Sequence, residues 1–381
     1  MSACAREVKS DDLADRGGRV MPTSAVTLSP PAKAAIAAFT AIGVLCAPSA
    51  SFADEGGLSF WLPGLFGSLA AVPQQPGFSL ASIYFHDDVR AGGDVSRARE
   101  ISIGQLPATI NASLSGNLHA YVDLNILIAN YAFATPVLGG QLAVTMLGTY
   151  GRESATVDAN LSGSLATPLG SIPFARSDTI NGSVTGFGDL YPMVSLRWNA
   201  GVNNYMTYIT GDVPVGNYDS SRLTNLGLGH GAIDGGFGYT YLDQKTGHEI
   251  SGVLGFTYNT VNPITQYQSG VDLHFDWGAS QFLTKQLQVG VVGYVYDEIG
   301  CDSGFGDRVG CFQSRVVGIG PQLGYIIPLG ATQAYINIKG YGEFDAQNRP
   351  HGWNTWLTVS LAPAAASPEP PPSATRRMYT K

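Results

Sequence analysis

The sequence predicts an all-β fold, a transmembrane antiparallel up-and-down β-barrel of about 12 strands (range about 10–14). Three observations predict it. Segments of the 381-residue chain alternate apolar and polar side chains, the connections between these segments alternate in length, and only 13% of the residues are charged. Because successive side chains of a strand point to opposite faces, the alternation indicates one apolar and one wet environment. A soluble β-sandwich with an apolar core is the alternative.

The clearest alternation lies in residues 249–278. Apolar side chains share one face of the two strands of this hairpin, namely Ile250, Leu254, Phe256, Tyr258, Val271, Leu273, Phe275 and Trp277. Asp272, His274 and Asp276 fall on the opposite face of the second strand. In a membrane barrel the apolar face lies against lipid and the polar face lines the lumen. We therefore expect these three polar side chains inside the barrel.

Strands are predicted wherever the alternation recurs. They lie near residues 78–86, 117–134, 140–150, 187–198, 203–213, 231–242, 248–259, 268–281, 286–297, 312–327, 333–344 and 352–361. The connections at 199–202, 243–247, 282–285 and 328–332 are short, and those at 214–229, 260–267, 298–311 and 345–351 are longer. Short turns at one end and longer loops at the other are typical of outer-membrane barrels.

Composition narrows the class of protein further. A soluble domain carries about 25% charged residues, whereas this chain has 13%, together with 48 Gly and 18 Tyr. After residue 53 no apolar run reaches the ~20 residues of a membrane-spanning helix, which excludes a helical membrane protein. The net charge of −8 without a basic stripe argues against nucleic-acid binding.

The N-terminus is typical of an exported protein. An apolar run from Ala34 to Ala47 ends in Ser51-Phe52-Ala53. Small residues at positions −3 and −1 are what signal peptidase requires, so we place the cleavage between Ala53 and Asp54. A transmembrane anchor is the alternative, but the run is short and Pro48 interrupts it. A lipoprotein at Cys46 would need Gly or Ala where Leu45 stands.

The predicted organisation has four parts. Residues 1–53 form a signal peptide with an extended N-terminus, with Met21 as a second candidate start of translation, and residues 54–76 form a periplasmic segment. The barrel spans 77–362, and a Pro-rich, disordered tail spans 363–381.

Two cysteines remain after export, Cys301 and Cys311. Because they lie in one predicted loop and in an oxidising compartment, we expect them to form a disulfide. Asp302, Gly304 and Asp307 lie between them, but their spacing is not that of a calcium-binding EF-hand loop.

Nine polar residues are predicted to line the lumen and the solute pathway: His119, Asp123, Asp189, Arg197, Asp272, His274, Asp276, Lys339 and Glu343. They either form a polar constriction that selects solutes or pair with each other and plug the barrel. Eight-stranded barrels have filled interiors, whereas those with 16 to 18 strands hold aqueous channels, so about 12 strands leaves both possibilities open. A metal site at Asp272, His274 and Asp276 would need a convergence that one flat strand rarely supplies.

Catalytic motifs give a weaker signal. An outer-membrane phospholipase would need a Ser nucleophile beside a His base, but no Ser follows His230-Gly231 where that family places it. The Gly-rich stretch 227–238 is not followed by the Lys of a phosphate-binding loop. We therefore expect neither an enzyme nor a cofactor.

Eight short blocks occur in order along the chain: GFGDL (186–190), PVGNYD (214–219), NLG (225–227), GHEI (247–250), NTVNP (259–263), YQSG (267–270), GIGP (318–321) and EFDAQNR (343–349). With them the chain resembles, over roughly residues 77–361, the outer-membrane transporter-like family named after the phenol-degradation meta pathway. The resemblance implies a Gram-negative outer-membrane barrel with a suggested role in uptake of hydrophobic or aromatic compounds. It transfers no residue roles. The tail after 361 departs from barrels that end on an aromatic residue.

The expected function is passive uptake of a small, hydrophobic or aromatic solute through the lumen. The alternative is a plugged structural or surface-interaction barrel without transport. The expected partners are outer-membrane lipids, the barrel-assembly machinery and the solute, with no nucleic acid, and the expected state is a monomer.

Overall fold

The computed structural model describes most of the chain: residues 59–103, 106–168, 170–307, 310–311 and 313–364. The signal peptide, its cleavage site between Ala53 and Asp54 and the tail after residue 364 lie outside the described residues. Those three expectations remain predictions.

Twelve strands form one closed antiparallel barrel, in which each strand pairs with its sequence neighbours and β1 pairs with β12. The strands are β1 (Gly77–Ile103), β2 (Leu106–Ala132), β3 (Gln141–Thr167), β4 (Gly170–Ala200), β5 (Asn203–Gly211), β6 (Ala232–Asp243), β7 (His248–Asn259), β8 (Val271–Phe282), β9 (Leu287–Glu298), β10 (Arg315–Leu329), β11 (Thr332–Gln347) and β12 (His351–Pro363). The predicted fold class and strand number are confirmed. Within the described residues no helix could cross a membrane.

From β4 to β11 the connections alternate in length as predicted, but the predicted longer connection at 345–351 is wrong, because β11 continues to Gln347 and only residues 348–350 join it to β12. Short turns at 201–202, 244–247, 283–286 and 330–331 lie at the end of the barrel where β12 ends. Long loops at 212–231, 260–270 and 299–314 lie at the opposite end. Closure of the sheet by the β1–β12 pair satisfies backbone groups that an open edge would expose.

The outside of the barrel carries exposed apolar side chains on every strand. On β6 and β7, Phe237 is 73% exposed, whereas Val253, on the opposite face, is 0% exposed. The hairpin of β7 and β8 is sorted as predicted, with Leu254 and Phe275 on the outer face and His274 inside. A continuous apolar exterior of this size is stable against lipid and not against water.

Four strands are much longer than the sequence indicates. β1, β2 and β3 have 27 residues each and β4 has 31, whereas the other strands have 9 to 16. The predicted strands at 78–86 and 187–198 capture only one end of β1 and β4. The missed parts are rich in Ser, Gly, Asn and Asp, which have low strand propensity and give a weak signal on their own.

A lipid-facing charge tests the assignment of the outer face. We expect Phe237→Arg to destabilise the barrel by about 2–4 kcal/mol, because an arginine near the middle of the bilayer loses its hydration. The matched control is Phe305→Arg in the β9–β10 loop, where the native side chain is 98% exposed, with an expected change within about 0.5 kcal/mol. Unfolding free energies in liposomes measure both. Equal effects of the two substitutions would contradict a lipid-facing Phe237.

Candidate functional site in the barrel interior

The N-terminal segment occupies the interior of the barrel. Residues 59–72, which we call the plug, run from Ser59 through the lumen and emerge before β1, and Trp61 is only 2% exposed. Residues 59–72 of the segment expected to be periplasmic are thus found inside the barrel, and for them that expectation needs correction. The physical reason is that the plug is apolar and has no regular secondary structure, so its side chains need cover and its backbone needs hydrogen-bond partners.

One aspartate and one lysine of the wall hold the central turn of the plug. The Asp276 carboxylate accepts hydrogen bonds from the backbone N–H groups of Gly64 (2.8 Å) and Phe66 (3.1 Å). The Lys339 ammonium donates to the carbonyl oxygens of Gly64, Leu65 (3.3 Å) and Phe66 (3.2 Å). Hydrogen bonds to charged groups contribute about 1.5–3 kcal/mol each, so this clamp is a main anchor of the plug.

A second anchor holds the plug nearer the short turns. The N–H of Leu69 donates to Glu249 Oε1 at 2.9 Å and to Ser251 Oγ at 3.0 Å. The N–H of Ala71 donates to Thr240 Oγ1 at 3.1 Å. These contacts join the plug to β6 and β7.

The opposite side of the wall supplies two more contacts. Gln322 Nε2 donates to Ser68 Oγ at 2.6 Å, and Arg197 Nε donates to the carbonyl of Ala70 at 3.4 Å. The lower half of the plug is therefore tied to β4 and β10 as well as to β6 and β7.

The upper part of the plug packs through aromatic rings. The Trp61 ring stacks on the His274 imidazole, with centroids 3.7 Å apart and planes 15° apart. His274 Nε2 lies 2.8 Å from Asp234 Oδ2, which also accepts a hydrogen bond from Thr257 Oγ1 at 2.7 Å. A Cβ at Gly255 would lie 2.4 Å from His274 Cε1, so only glycine leaves room for this arrangement.

Seven of the nine predicted lumen residues lie on the inner face: Asp189, Arg197, Asp272, His274, Asp276, Lys339 and Glu343. Their contacts hold protein segments in place. Asp189 accepts hydrogen bonds from the backbone N–H groups of Gly216 (2.6 Å) and Leu228 (2.7 Å) and so positions the β5–β6 loop. Glu343 accepts hydrogen bonds from Tyr294 and from the backbone of Gly352. Their role in a solute pathway stays a prediction.

The prediction for His119 and Asp123 is wrong, because both lie on the outer face. Asp123 Oδ1 accepts a hydrogen bond from Tyr84 OH at 2.6 Å and lies 2.8 Å from His86 Nδ1. His119 Nε2 lies 3.1 Å from Asp88 Oδ1. The inner face of β2 is apolar instead, so the usual relation between polarity and side is inverted in this strand.

An apolar cavity lies where the inner face is apolar. It has a volume of about 50 Å³ and is bounded by the plug, by β2–β5 and by the β5–β6 loop. Its lining includes Phe60, Leu65, Leu124, Ile126, Leu147, Tyr191, Met193, Leu226 and Leu228. Sequence reasoning missed these residues because it assigned every apolar row to lipid. The apolar stretch 58–72, which begins a few residues after the predicted cleavage site, was the signal that could have revealed the plug.

The size of this cavity limits what it holds with the plug in place. A water molecule needs about 10–15 Å³ measured in this way, and a benzene-binding cavity is about 150 Å³. The cavity therefore admits a group of a few atoms, and a whole aromatic ring requires the plug or the β5–β6 loop to shift.

The β9–β10 loop contains the predicted disulfide. Cys301 and Cys311 are bonded, with Cα atoms 4.6 Å apart. Asp302 Oδ1 accepts a hydrogen bond from the N–H of Gly270, and Asp307 Oδ1 from the N–H of Gly310. Both carboxylates thus stabilise loop backbone. In the part of the chain that the structure describes, no cluster of three or more His, Cys, Asp or Glu could hold a metal ion.

A closed antiparallel barrel with an apolar exterior and an internal plug defines a transmembrane β-barrel protein. A family profile described as "Putative MetA-pathway of phenol degradation" matches residues 99–359. The chain belongs to this family, which confirms the resemblance noted in the sequence.

Solved structures agree with the fold. The crystal structure of the COG4313 outer membrane channel from Pseudomonas putida F1 is similar, with a TM-score of 0.53, 12% identity, and 79% of this chain and 98% of that chain covered. A FadL homologue from Pseudomonas aeruginosa gives a TM-score of 0.39 at 9% identity, covering 79% of this chain and 94% of that chain, which is too distant to bear on this protein. A search of curated proteins gives no match.

The clamp can be tested by hydrogen exchange. We expect Asp276→Ala to speed amide exchange of Gly64 and Phe66 by roughly tenfold to a hundredfold, because both amides lose a charged acceptor. Asp243→Ala is the control, since Asp243 accepts a hydrogen bond from the backbone of Lys245 in a short turn. Unchanged exchange of both plug amides in Asp276→Ala would show that the clamp does not hold the plug.

Proposed function

We propose that this chain is an outer-membrane transport protein for passive uptake of small apolar solutes, aromatic compounds among them. The observation that carries the proposal is the apolar cavity inside a barrel whose polar inner rows are occupied by the plug. An apolar pathway beside an anchored plug favours apolar solutes over ions, because burying an ion without a partner is costly.

Movement of the plug is the step that transport requires. Apart from the chain that leads from the plug into β1, only non-covalent contacts join the plug to the wall in the described structure. The cavity of about 50 Å³ is too small for an aromatic ring. A solute that arrives from the long-loop end therefore passes when the plug shifts away from β2–β5. Diffusion down a gradient supplies the driving force.

The proposed setting is the outer membrane of a Gram-negative bacterium, with the short turns in the periplasm. We propose export by a signal peptide cleaved between Ala53 and Asp54, insertion by the barrel-assembly machinery and a monomeric barrel. The fold resemblance to an outer-membrane channel and membership of the family support this setting. Cell fractionation and N-terminal sequencing of the mature protein test it.

Fixing the plug to the wall tests the pathway. The Ala71 amide donates to Thr240 Oγ1 at 3.1 Å, and this direct contact makes the two positions the pair chosen for a disulfide between plug and wall. We expect the oxidised pair Ala71→Cys and Thr240→Cys to reduce uptake of naphthalene into proteoliposomes to the level of protein-free liposomes. Reduction restores uptake.

In the matched control the engineered disulfide joins two strands of the barrel wall and does not involve the plug. Thr240 and Ser251 are directly opposite each other on β6 and β7, with their hydroxyls 2.7 Å apart. The pair Thr240→Cys and Ser251→Cys therefore removes similar plug contacts without tethering the plug, and we expect uptake to persist. Wild-type protein with reductant controls for the native disulfide. Full uptake through a fixed plug would exclude this pathway.

Filling the cavity tests the class of solute. We expect Leu228→Trp to lower naphthalene uptake by roughly tenfold, because the larger side chain removes space that a solute must occupy. Leu283→Trp, on an exposed leucine of a short turn, is the control. Equal uptake by the two variants would place the pathway elsewhere.

The alternative is a plugged barrel with a structural or surface-interaction role. The dense anchoring of the plug by β4, β6, β7, β8, β10 and β11 favours it. Absence of solute uptake and of ion conductance from the wild-type protein in planar bilayers would support that alternative.

A further inference from the structure

Four strands extend beyond the rest of the barrel wall. Pairing of β1 with β12 ends at Arg90 and His351, and regular pairing of β4 with β5 ends at Met193 and Thr210. The pairs β1–β2, β2–β3 and β3–β4 continue far beyond that level. Residues 91–103, 106–118, 151–167 and 170–186 thus form a four-stranded sheet at the long-loop end, which we call the outer sheet.

The two faces of the outer sheet differ sharply on β3 and β4. The inner face continues the row of the buried Glu153 and Ala155 and carries mainly apolar residues: Val157, Ala159, Leu161, Gly163 and Leu165 on β3, and Ile172, Phe174 and Ile180 on β4, with Arg176 and Asp178 between them. The opposite face is mainly polar: it carries Thr156, Asp158, Asn160, Ser162, Ser164 and Ala166 on β3, and Ser171, Pro173, Ala175, Ser177, Thr179, Asn181 and Ser183 on β4.

This order is the reverse of that in the lipid-facing wall, where the outside is apolar. On the outer sheet the outward side chains bond to each other: Thr156 Oγ1 donates to Asn181 Oδ1 at 2.8 Å, and Thr179 Oγ1 donates to Asp158 Oδ1 at 2.7 Å. A hydroxyl- and amide-rich face suits water. The outer sheet therefore stands above the lipid, with its apolar face toward the barrel axis.

Among the residues that the structure describes, the β5–β6 loop covers this apolar face at its base only. The β5–β6 loop packs there, since a Cβ at Gly182 would lie 3.0 Å from Leu223 Cβ and the N–H of Asn225 donates to Glu153 Oε2 at 3.1 Å. Farther along β4 the face opens, with Ile180 46% and Ile172 62% exposed. The exposed apolar surface thus begins where the loop ends.

We propose that the inner face of the outer sheet is the first binding surface for the apolar solute, an inference that rests on the proposed function. The connection of this face to the internal cavity indicates that the solute, and not bilayer lipid, occupies it. The β3 row that carries Leu161 and Val157 continues through Glu153, where the β5–β6 loop packs, to Leu147, and β4 continues to Tyr191. Leu147 and Tyr191 both line the internal cavity. A solute adsorbed on this face lies at the opening of the pathway, whereas bilayer lipid contacts the outside of the barrel.

Two pairs of substitutions on neighbouring positions test the surface. Leu161→Asp with Leu165→Asp makes the inner face charged, and Asn160→Asp with Ser162→Asp adds the same charges to the outer face. We expect the inner pair to raise the naphthalene concentration for half-maximal uptake roughly tenfold, because two apolar contacts are lost. The maximal rate stays unchanged, and the outer pair behaves as wild type.

A binding measurement separates this surface from the pathway. With the plug fixed by the 71–240 disulfide and the cavity filled by Leu228→Trp, the chain in lipid nanodiscs should still bind the fluorescent amine N-phenylnaphthylamine. After subtraction of the signal from empty nanodiscs, whose lipid also takes up this probe, the inner pair weakens the binding roughly tenfold. The milder pair Leu161→Thr with Leu165→Thr weakens it less. Heat-modifiable electrophoretic mobility verifies folding of each variant.

The outcomes are distinguishable. If the inner and outer pairs need the same naphthalene concentration for half-maximal uptake, the proposed binding surface is refuted. The proposed transport function is then still supported by the loss of uptake in the fixed-plug variant. If the wild type sediments as a dimer and the inner pair as a monomer, the inner face of the outer sheet binds a second copy of this chain. That result also refutes the proposal. If the protein binds N-phenylnaphthylamine but the wild type takes up no naphthalene, the proposed transport function is refuted. The role of the outer sheet as the first binding surface for a transported solute is then refuted as well.

Discussion

The interior of this barrel is organised by the need of an irregular chain segment for hydrogen-bond partners. The plug has no regular secondary structure, so its amides and carbonyls depend on the wall. Asp276 accepts from two of those amides and Lys339 donates to three carbonyls. The two side chains also offset each other's charge in a buried setting, where either one alone would be costly.

The division of the interior follows from that dependence. The inner rows of β6, β7, β8 and β11 are polar at the positions where the plug's backbone lies against them. Beside the plug's side chains, β2, β3 and β4 present Leu124, Leu147 and Met193, and the cavity lies there, although Arg197 of β4 donates to the plug's backbone. Polar groups of the wall thus meet the plug's backbone, and apolar groups of the wall meet its side chains.

The sequence showed that side chains alternate between two faces of each strand, but it showed only for some strands which face points into the barrel. On β8, where Asp276 alternates with Phe275, polar residues face inward as in most barrels. On β2, Leu124 faces the cavity, while the neighbouring Asp123 bonds Tyr84 on the outside. Alternation is identical in both cases, so only knowledge of what fills the lumen decides the side.

The length of the first four strands could not be predicted from the local sequence either. Residues such as Ser162, Asn160 and Gly163 lack intrinsic strand preference, and their conformation depends on cross-strand partners far away in sequence. The cysteine pair, by contrast, was predictable because Cys301 and Cys311 are only 10 positions apart in one loop and export to an oxidising compartment was expected.

The position of the plug also has a consequence for the order in which the chain assembles. The Gly64–Asp276 contact joins residues 212 apart, and the plug leads directly into β1. Barrel closure must bring Leu80 beside Leu361, across almost the whole chain. Because loop-closure entropy grows with loop length, a plug already seated on β6–β8 shortens that search. A seated plug thus holds β1 close to the position where β12 must pair with it.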